Sequence, residues 1–405
     1  MANIDPKKAL QCVLEQVTPL PAEQVDLTEA LGRTLARDLK ADRDSPPTHR
    51  STMDGYAVRA ADLAQPQGRL RLIGEVAAGA SIFPEVQAGT CVRIFTGAVV
   101  PPGADTVVMV EETREEGEDV LFAEVAQAGK HIRLCGEEYQ KGSVLLSPGT
   151  VLGPAQIGLC AAVGKAKVWV FRQPRVAVLS TGSELVHAGE KVEPWQLCNS
   201  NGPMLRAAVL QAGALCVEQR EVVDEEDKLT DALKAVSAHA DVVLLSGGVS
   251  VGRYDLVPQA IKRLRATIHF HGVNIIPGKP ILFATRGYRC GFFGLPGNPV
   301  SALTGFYEFV LPALRRLSGC PLATCQATWQ LPLGQPLKKL KSHTLCALVQ
   351  LDTDTGKPTL MDVASRGSAH LAAAAQAQGV AILPPGTEAE EVGSMVTYHP
   401  WRALW

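Results

Sequence analysis

The chain has 405 residues, too long for one ordinary hydrophobic core, so two to four domains are expected. Apolar residues make up 46% and charged residues 20%, with a net charge of −2. That balance is globular and points to no nucleic-acid or membrane surface. No 18-residue apolar run or signal-peptide core is read, so the expected address is the cytoplasm. Ten cysteines form no CxxC pair and nine histidines no HExxH pattern, so buried or solvated thiols are expected rather than a zinc site. His269 and His271 can share one strand face, but they lack a third ligand.

Residues 7 to 18 read as a helix, and "LTEALGRTLAR" (27 to 37) as another, with Leu27, Leu31 and Leu35 at helical spacing. Residues 45 to 141 change character: "SPP", "PQG" and "PPGAD" punctuate short β-rich runs such as "CVRIF" and "TVVMV". A short Gly-bounded helix at 149 to 164, packed with the N-terminal helices, would make that β-rich segment an insertion. From about 174 to 322, strands alternate with helices, which implies a largely parallel sheet covered on both faces. The last stretch reads as a small β-barrel with a hairpin turn at "DTDTGK". The expected fold class is therefore α/β multidomain. A linking domain (1–46 and 142–173) carries the inserted β-rich domain (47–141). A doubly wound, mostly parallel sheet domain (174–323) and a C-terminal β-barrel (324–405) follow.

In an open α/β sheet, ligands bind beyond the carboxyl ends of the strands. Three glycine-bearing turns fall there: "STGSE" (180 to 184), "SGGVSVG" (246 to 252) and "LPGNP" (295 to 299). Ser246, Gly247, Gly248, Ser250 and Gly252 let backbone approach an anion closely. In the third turn, Pro296 and Gly297 precede Asn298, which can cap a helix, and Pro299 sits where its missing N–H costs nothing. The helix start would then offer N–H donors to a phosphate. One such turn alone is more often plain turn chemistry; three on one edge favour a site. Glu184, Asp224 and Asp255 follow the strand ends. Acids beside a phosphate call for a bridging Mg²⁺, although each can equally cap a helix. In the inserted domain, Asp54 of "STMDGYA" and Thr96 of "IFTGAVVPPGADTVV" are polar groups among apolar neighbours; a simple Asp-Gly turn is the plainer alternative.

Taken in order, "STMDGYA", "IFTGAVVPPGAD", "STGSEL", "SGGVSVGRYD", "PGKP" and "GLPGNPVSA" resemble the molybdopterin molybdotransferase family (the MoeA and gephyrin E-domain type) over nearly the whole chain. The resemblance implies four domains in an elongated homodimer and a Mg²⁺-dependent reaction. In that reaction adenylylated molybdopterin would be cleaved with AMP release, and molybdate would join its dithiolene. The site would lie between the α/β domain of one subunit and the inserted domain of the other. By motif, Asp54, Thr96, Glu184, Asp224, Asp255 and Lys279 would carry the chemistry, Glu184, Asp224 and Asp255 would hold the metal, and Pro296, Pro299 and Ser368 would line the cleft. An adenylyltransferase upstream and molybdoenzyme-loading proteins downstream are the implied partners.

The chain departs from the family pattern at this site. Glu138 stands for an Asp, Ser183 for an acid, Asn199 for an Asp and Ile276 for a Lys; Gly272 aligns where some members carry a further Lys, and a C-terminal arginine pattern is not visible. Lost charged donors, each worth roughly 1.5–3 kcal/mol, leave open an altered paralogue that binds the cofactor or its precursor as carrier or scaffold. A nucleotidyltransferase on the same α/β domain is a further alternative.

Overall fold

The computed structural model describes residues 3–248, 256–287, 290–354 and 356–401. Two compact units emerge: residues 1–37, 148–154 and 167–405 form one, and residues 38–147 with 155–166 the other.

The first unit is organised by a six-stranded sheet. Its strands are β1 (Arg175–Thr181), β2 (Leu215–Val222), β3 (Val242–Ser246), β4 (Thr267–His271), β5 (Leu282–Arg286) and β6 (Cys290–Leu295), in the order β2-β1-β3-β6-β5-β4. The β1/β2, β1/β3 and β3/β6 pairs are parallel; β5 and β4 add antiparallel. The expected mostly parallel sheet is thus a mixed one. Alternate residues of the inner strands bury on opposite faces. Val176, Val178, Leu244 and Phe293 meet helices α1 (Asn201–Gln211) and α4 (Pro299–Gly305) on one side. Ala177, Leu179, Val243 and Phe292 meet α2 (Glu226–Val236) and α3 (Leu256–Arg263) on the other, where α2 supplies Leu229 and Leu233 and α3 supplies Val257 and Ile261. Two-faced burial explains why these strands read as continuous apolar runs. Pro299–Gly305 continues through a π-helical turn, Phe306–Val310, into Leu311–Leu317.

The C-terminal strands form a second six-stranded sheet built on Thr344–Asp352, Gly379–Leu383 and Met395–Pro400. Thr359–Asp362 pairs with the first of these, across the expected hairpin. Leu333, just past Trp329–Pro332, bridges to Leu360. Ile275–Ile276, from the connection after β4, pairs with Thr344–Leu345 at this sheet's edge.

Residues 27 to 37 do not form the expected helix. Leu27–Glu29 is a short 3₁₀ turn, after which the backbone pairs outward: Leu35 N donates to Thr150 O and Ala36 N to Trp169 O. Leu35 is buried while Leu31 is exposed, so the leucine spacing does not mark one buried face. The helix expected at 149 to 164 is shorter, Pro154–Ala162, because the Thr150 carbonyl accepts from Leu35 N and the Leu152 carbonyl from Gly32 N.

The second unit holds a six-stranded sheet in which Gly55–Val58 runs between Thr106–Met109 and Thr90–Ile94. Gly55 opens this buried strand, and Asp54 ends the bend that leads into it. A Cβ on Gly55 would sit 1.9 Å from the Val108 carbonyl oxygen. Backbone, not a pliable side chain, blocks it. Gly55→Ala is expected to destabilise the protein by about 1–3 kcal/mol or more, measured by urea denaturation followed through second-unit probes.

Candidate functional site

Parallel register sets the site. Ser180 pairs with Glu221 on one side and Ser246 on the other, and Ser246 pairs with Leu295. The three glycine turns therefore leave the sheet side by side. Their described residues line a cavity of about 700 Å³ at its carboxyl edge. Glu184, Asp224, Ser246, Gly247, Gly248, Pro296, Gly297, Asn298 and Pro299 line it, as the sequence suggested. Ser368 is brought to its rim: the Asn298 amide donates to Ser368 Oγ (2.9 Å), and Val300 N donates to Ser368 O (3.0 Å). Ser250, Gly252 and Asp255 lie outside the described residues. Lys279 is exposed; its neighbour Pro280, not Lys279, lines the cavity.

Three local expectations change. Asn298 occupies the N-cap position of α4, but its side chain makes no cap bond, because the amide is turned to Ser368. The helix start is not a row of open donors either: Pro299 has no N–H and Val300's is used. Asp224 is not a helix cap. The cap position of α2 is Glu225, which leaves the exposed Asp224 facing the cavity. Gly247 sits at a φ of +95°, and a Cβ there would lie 2.3 Å from Thr181 O. The turn is therefore pressed against β1 in a conformation only glycine adopts easily.

Sequence reasoning missed Thr181 and Asn201. Asn201 Nδ2 donates to Ser246 Oγ (2.7 Å) and to Gly297 O (2.7 Å), tying the second turn to the third. The available signal was the polar run "CNSN" between a strand and a helix. Asn199, one of the departures, accepts from Gly202 N (2.9 Å) and donates to Glu221 Oε1 (2.8 Å). An Asp there would confront a carboxylate. Another departure, Glu138, accepts from Ser45 Oγ (2.8 Å) and holds its own loop. His269 is tied up structurally: it bonds Thr285 Oγ1 (2.8 Å) and stacks on Phe283.

In the second unit, Asp54 Oδ1 accepts from both Thr96 N and Thr96 Oγ1, each at 2.7 Å. The backbone bond and then the hydroxyl bond favour the carboxylate and hold Asp54 below the usual Asp range. The two motif residues are one anionic element.

Among the described residues the cavity presents two carboxylates, Glu184 and Asp224, and no basic side chain. No three His, Cys, Asp or Glu among them group as a complete metal cage. Two hard oxygen donors beside a cleft suit Mg²⁺, which typically takes one or two carboxylates and completes its shell with substrate phosphate and water.

An open doubly wound sheet with a ligand-sized cavity at its carboxyl edge is the class defined by this architecture. Residues 4–164 match the family model of the MoeA N-terminal region (domains I and II), 177–316 a probable molybdopterin binding domain, and 330–401 the MoeA C-terminal region (domain IV). A molybdopterin molybdenumtransferase of Nostoc sp. is 42% identical over 73% of this chain and 70% of its own length. One from Staphylococcus aureus is 33% identical over 96% and 94%. A solved molybdopterin biosynthesis MoeA protein of Pyrococcus horikoshii superposes with a TM-score of 0.83 at 31% identity, covering 99% of this chain and all of that one. The chain belongs to the MoeA family of molybdopterin molybdenumtransferases.

Two substitutions test the local electrostatics. Thr96→Val removes the hydroxyl donor, so the Asp54 carboxyl should titrate at higher pH than in wild type, read by carbon-detected NMR. The stability that the lowered pKa contributes is present above the unfolded Asp range and lost as pH falls through the folded value; the variant should lose it at higher pH. Asn199→Asp sets a second carboxylate against Glu221. Its cost, about 1–3 kcal/mol, should therefore grow as pH rises from 4 to 7 in thermal melts.

Proposed function

We propose that this chain is a molybdopterin molybdotransferase. It takes adenylylated molybdopterin, releases AMP and joins molybdate to the dithiolene in molybdenum cofactor biosynthesis. The observation that carries this reading is the carboxyl-edge cavity, where three glycine turns converge beside Glu184 and Asp224 without a basic side chain among the described residues. A phosphate beside two carboxylates is repelled unless a cation intervenes. Glu184 and Asp224 would hold Mg²⁺, with Asp255 completing the acidic set. When bound, Mg²⁺ supplies the positive charge that lets the pyrophosphate link rest there. The glycine turns admit the phosphates sterically, and Ser368 steadies the Asn298 turn. Asp54 and Thr96 form the second unit's share of the reaction machinery, and Lys279 belongs to the same set.

The reading includes a cytoplasmic homodimer of four-domain subunits, with the domain limits given above and a C-terminal barrel. An adenylyltransferase would supply its substrate, and molybdoenzyme-loading proteins would take its product.

The test is a single-turnover assay. Purified protein receives adenylylated molybdopterin, Mg²⁺ and molybdate, and AMP release is followed alongside metal bound to the pterin. Molybdate-dependent AMP release is expected, abolished by chelation of Mg²⁺. Glu184→Gln and Asp224→Asn should each slow it by about 10²-fold or more, the scale of losing a group that stabilises reacting charge. Binding of the precursor with neither AMP release nor metal insertion would replace this reading with that of a carrier.

A further inference from the structure

Two buried polar atoms of residues that line the cavity are left without partners among the described residues: Thr181 Oγ1 and Asn201 Oδ1. Thr181 is 5% exposed and Asn201 8%. Nearly all buried polar groups in folded proteins are hydrogen-bonded, so two orphans on one cavity need a reason.

The orientation of Asn201 is fixed by its surroundings. Gly297 O accepts only, so the atom 2.7 Å from it must be the amide nitrogen. The amide is planar, and Oδ1 is therefore the atom turned away from both Gly297 and Ser246. A carbonyl oxygen cannot donate. A hydrogen-bonding partner for it must carry an N–H or O–H, which a fully ionised phosphate lacks. Thr181 Oγ1 stands against the second glycine turn: Cβ atoms at Gly247 and Gly248 would fall 2.9 and 3.1 Å from it. A hydroxyl there can accept as well as donate.

We propose that Thr181 and Asn201 form a subsite for a hydrogen-bond donor on the uncharged part of the ligand. The inference rests on the cavity taking a pterin nucleotide, as argued above. The subsite divides the cavity by chemistry. Phosphate belongs with the carboxylates and their cation, and a ring N–H or sugar O–H belongs at Thr181 and Asn201. This sets the orientation of the ligand and makes the pair specificity-determining. No side-chain bond that Thr181 Oγ1 makes within the described residues is lost when it is replaced, so fold and affinity can be separated.

The experiment measures equilibrium binding to the full chain, with Mg²⁺ and without molybdate, for two probes: adenylylated molybdopterin and donor-free pyrophosphate. Thr181→Val should melt at or above the wild-type temperature. It should bind adenylylated molybdopterin about tenfold more weakly, the scale of one neutral hydrogen bond. Pyrophosphate affinity should stay within about twofold on the same scale. Thr181→Ser, which keeps the hydroxyl, should restore the affinity, and Thr181→Ala serves if the valine variant does not fold. Undiminished binding of adenylylated molybdopterin by the hydroxyl-free variant, or an equal loss for both probes, overturns the subsite while leaving the transferase reading intact. A wild-type chain that binds no adenylylated molybdopterin sinks the transferase reading, and the subsite with it.

Discussion

Everything at the carboxyl edge depends on where three parallel strands stop. Ser180, Ser246 and Leu295 share one rank of the sheet, so the turns that follow them start side by side. Parallel pairing alone would leave these turns loose. The Asn201 amide closes the arrangement by bonding one turn through Ser246 Oγ and another through Gly297 O. Ser368 adds a brace from the C-terminal segment, holding Asn298 by its side chain and Val300 by its backbone. The cavity is thus defined by hydrogen bonds between chain segments far apart in sequence, over a sheet whose two apolar faces fix its position.

The electrostatics of the site follow from that geometry. Glu184 and Asp224 come from the ends of adjacent strands, β1 and β2, and reach the cavity without a compensating base among the described residues. Glu221, at the end of β2, is engaged by the Asn199 amide, so its charge is not added to theirs unopposed. The amide at 199 is therefore a local solution to crowding by acids, as well as a departure from the family pattern. Asp54 and Thr96 show the opposite arrangement, a carboxylate kept ionised by two donors from one residue.

The alternation of buried strands and amphipathic helices was legible because its apolar spacing is local. β1, β3 and β6 read correctly as continuous apolar runs, and the glycine turns betrayed the strand ends. The leucine spacing of 27 to 37 misled. Its backbone donors find partners at Thr150 and Trp169, which no window of adjacent residues contains. The site divided in the same way. Motif residues carried their own signal, and Glu184 and Asp224 reached the cavity as expected. Asn201 was invisible because its importance lies in bonding two distant turns, and Asn298 was misjudged because Ser368 competes for its side chain. Helix periods and turn chemistry are written locally; register and competition for donors are not.

The discontinuity of the chain has a consequence for its synthesis. Strand Ala22–Asp26 finds its partner only in Lys167–Phe171, after the whole intervening segment has been made. On a ribosome, the first thirty-seven residues of the first unit must therefore wait, unpaired along that edge, while residues 38–147 emerge and fold around their own sheet. All six strands of the second unit's sheet, the last of them Asp119–Phe122, are made before that partner strand emerges. The early exposed strand is short and carries Glu23 and Asp26, charges that discourage mispairing with a neighbouring nascent chain during that interval.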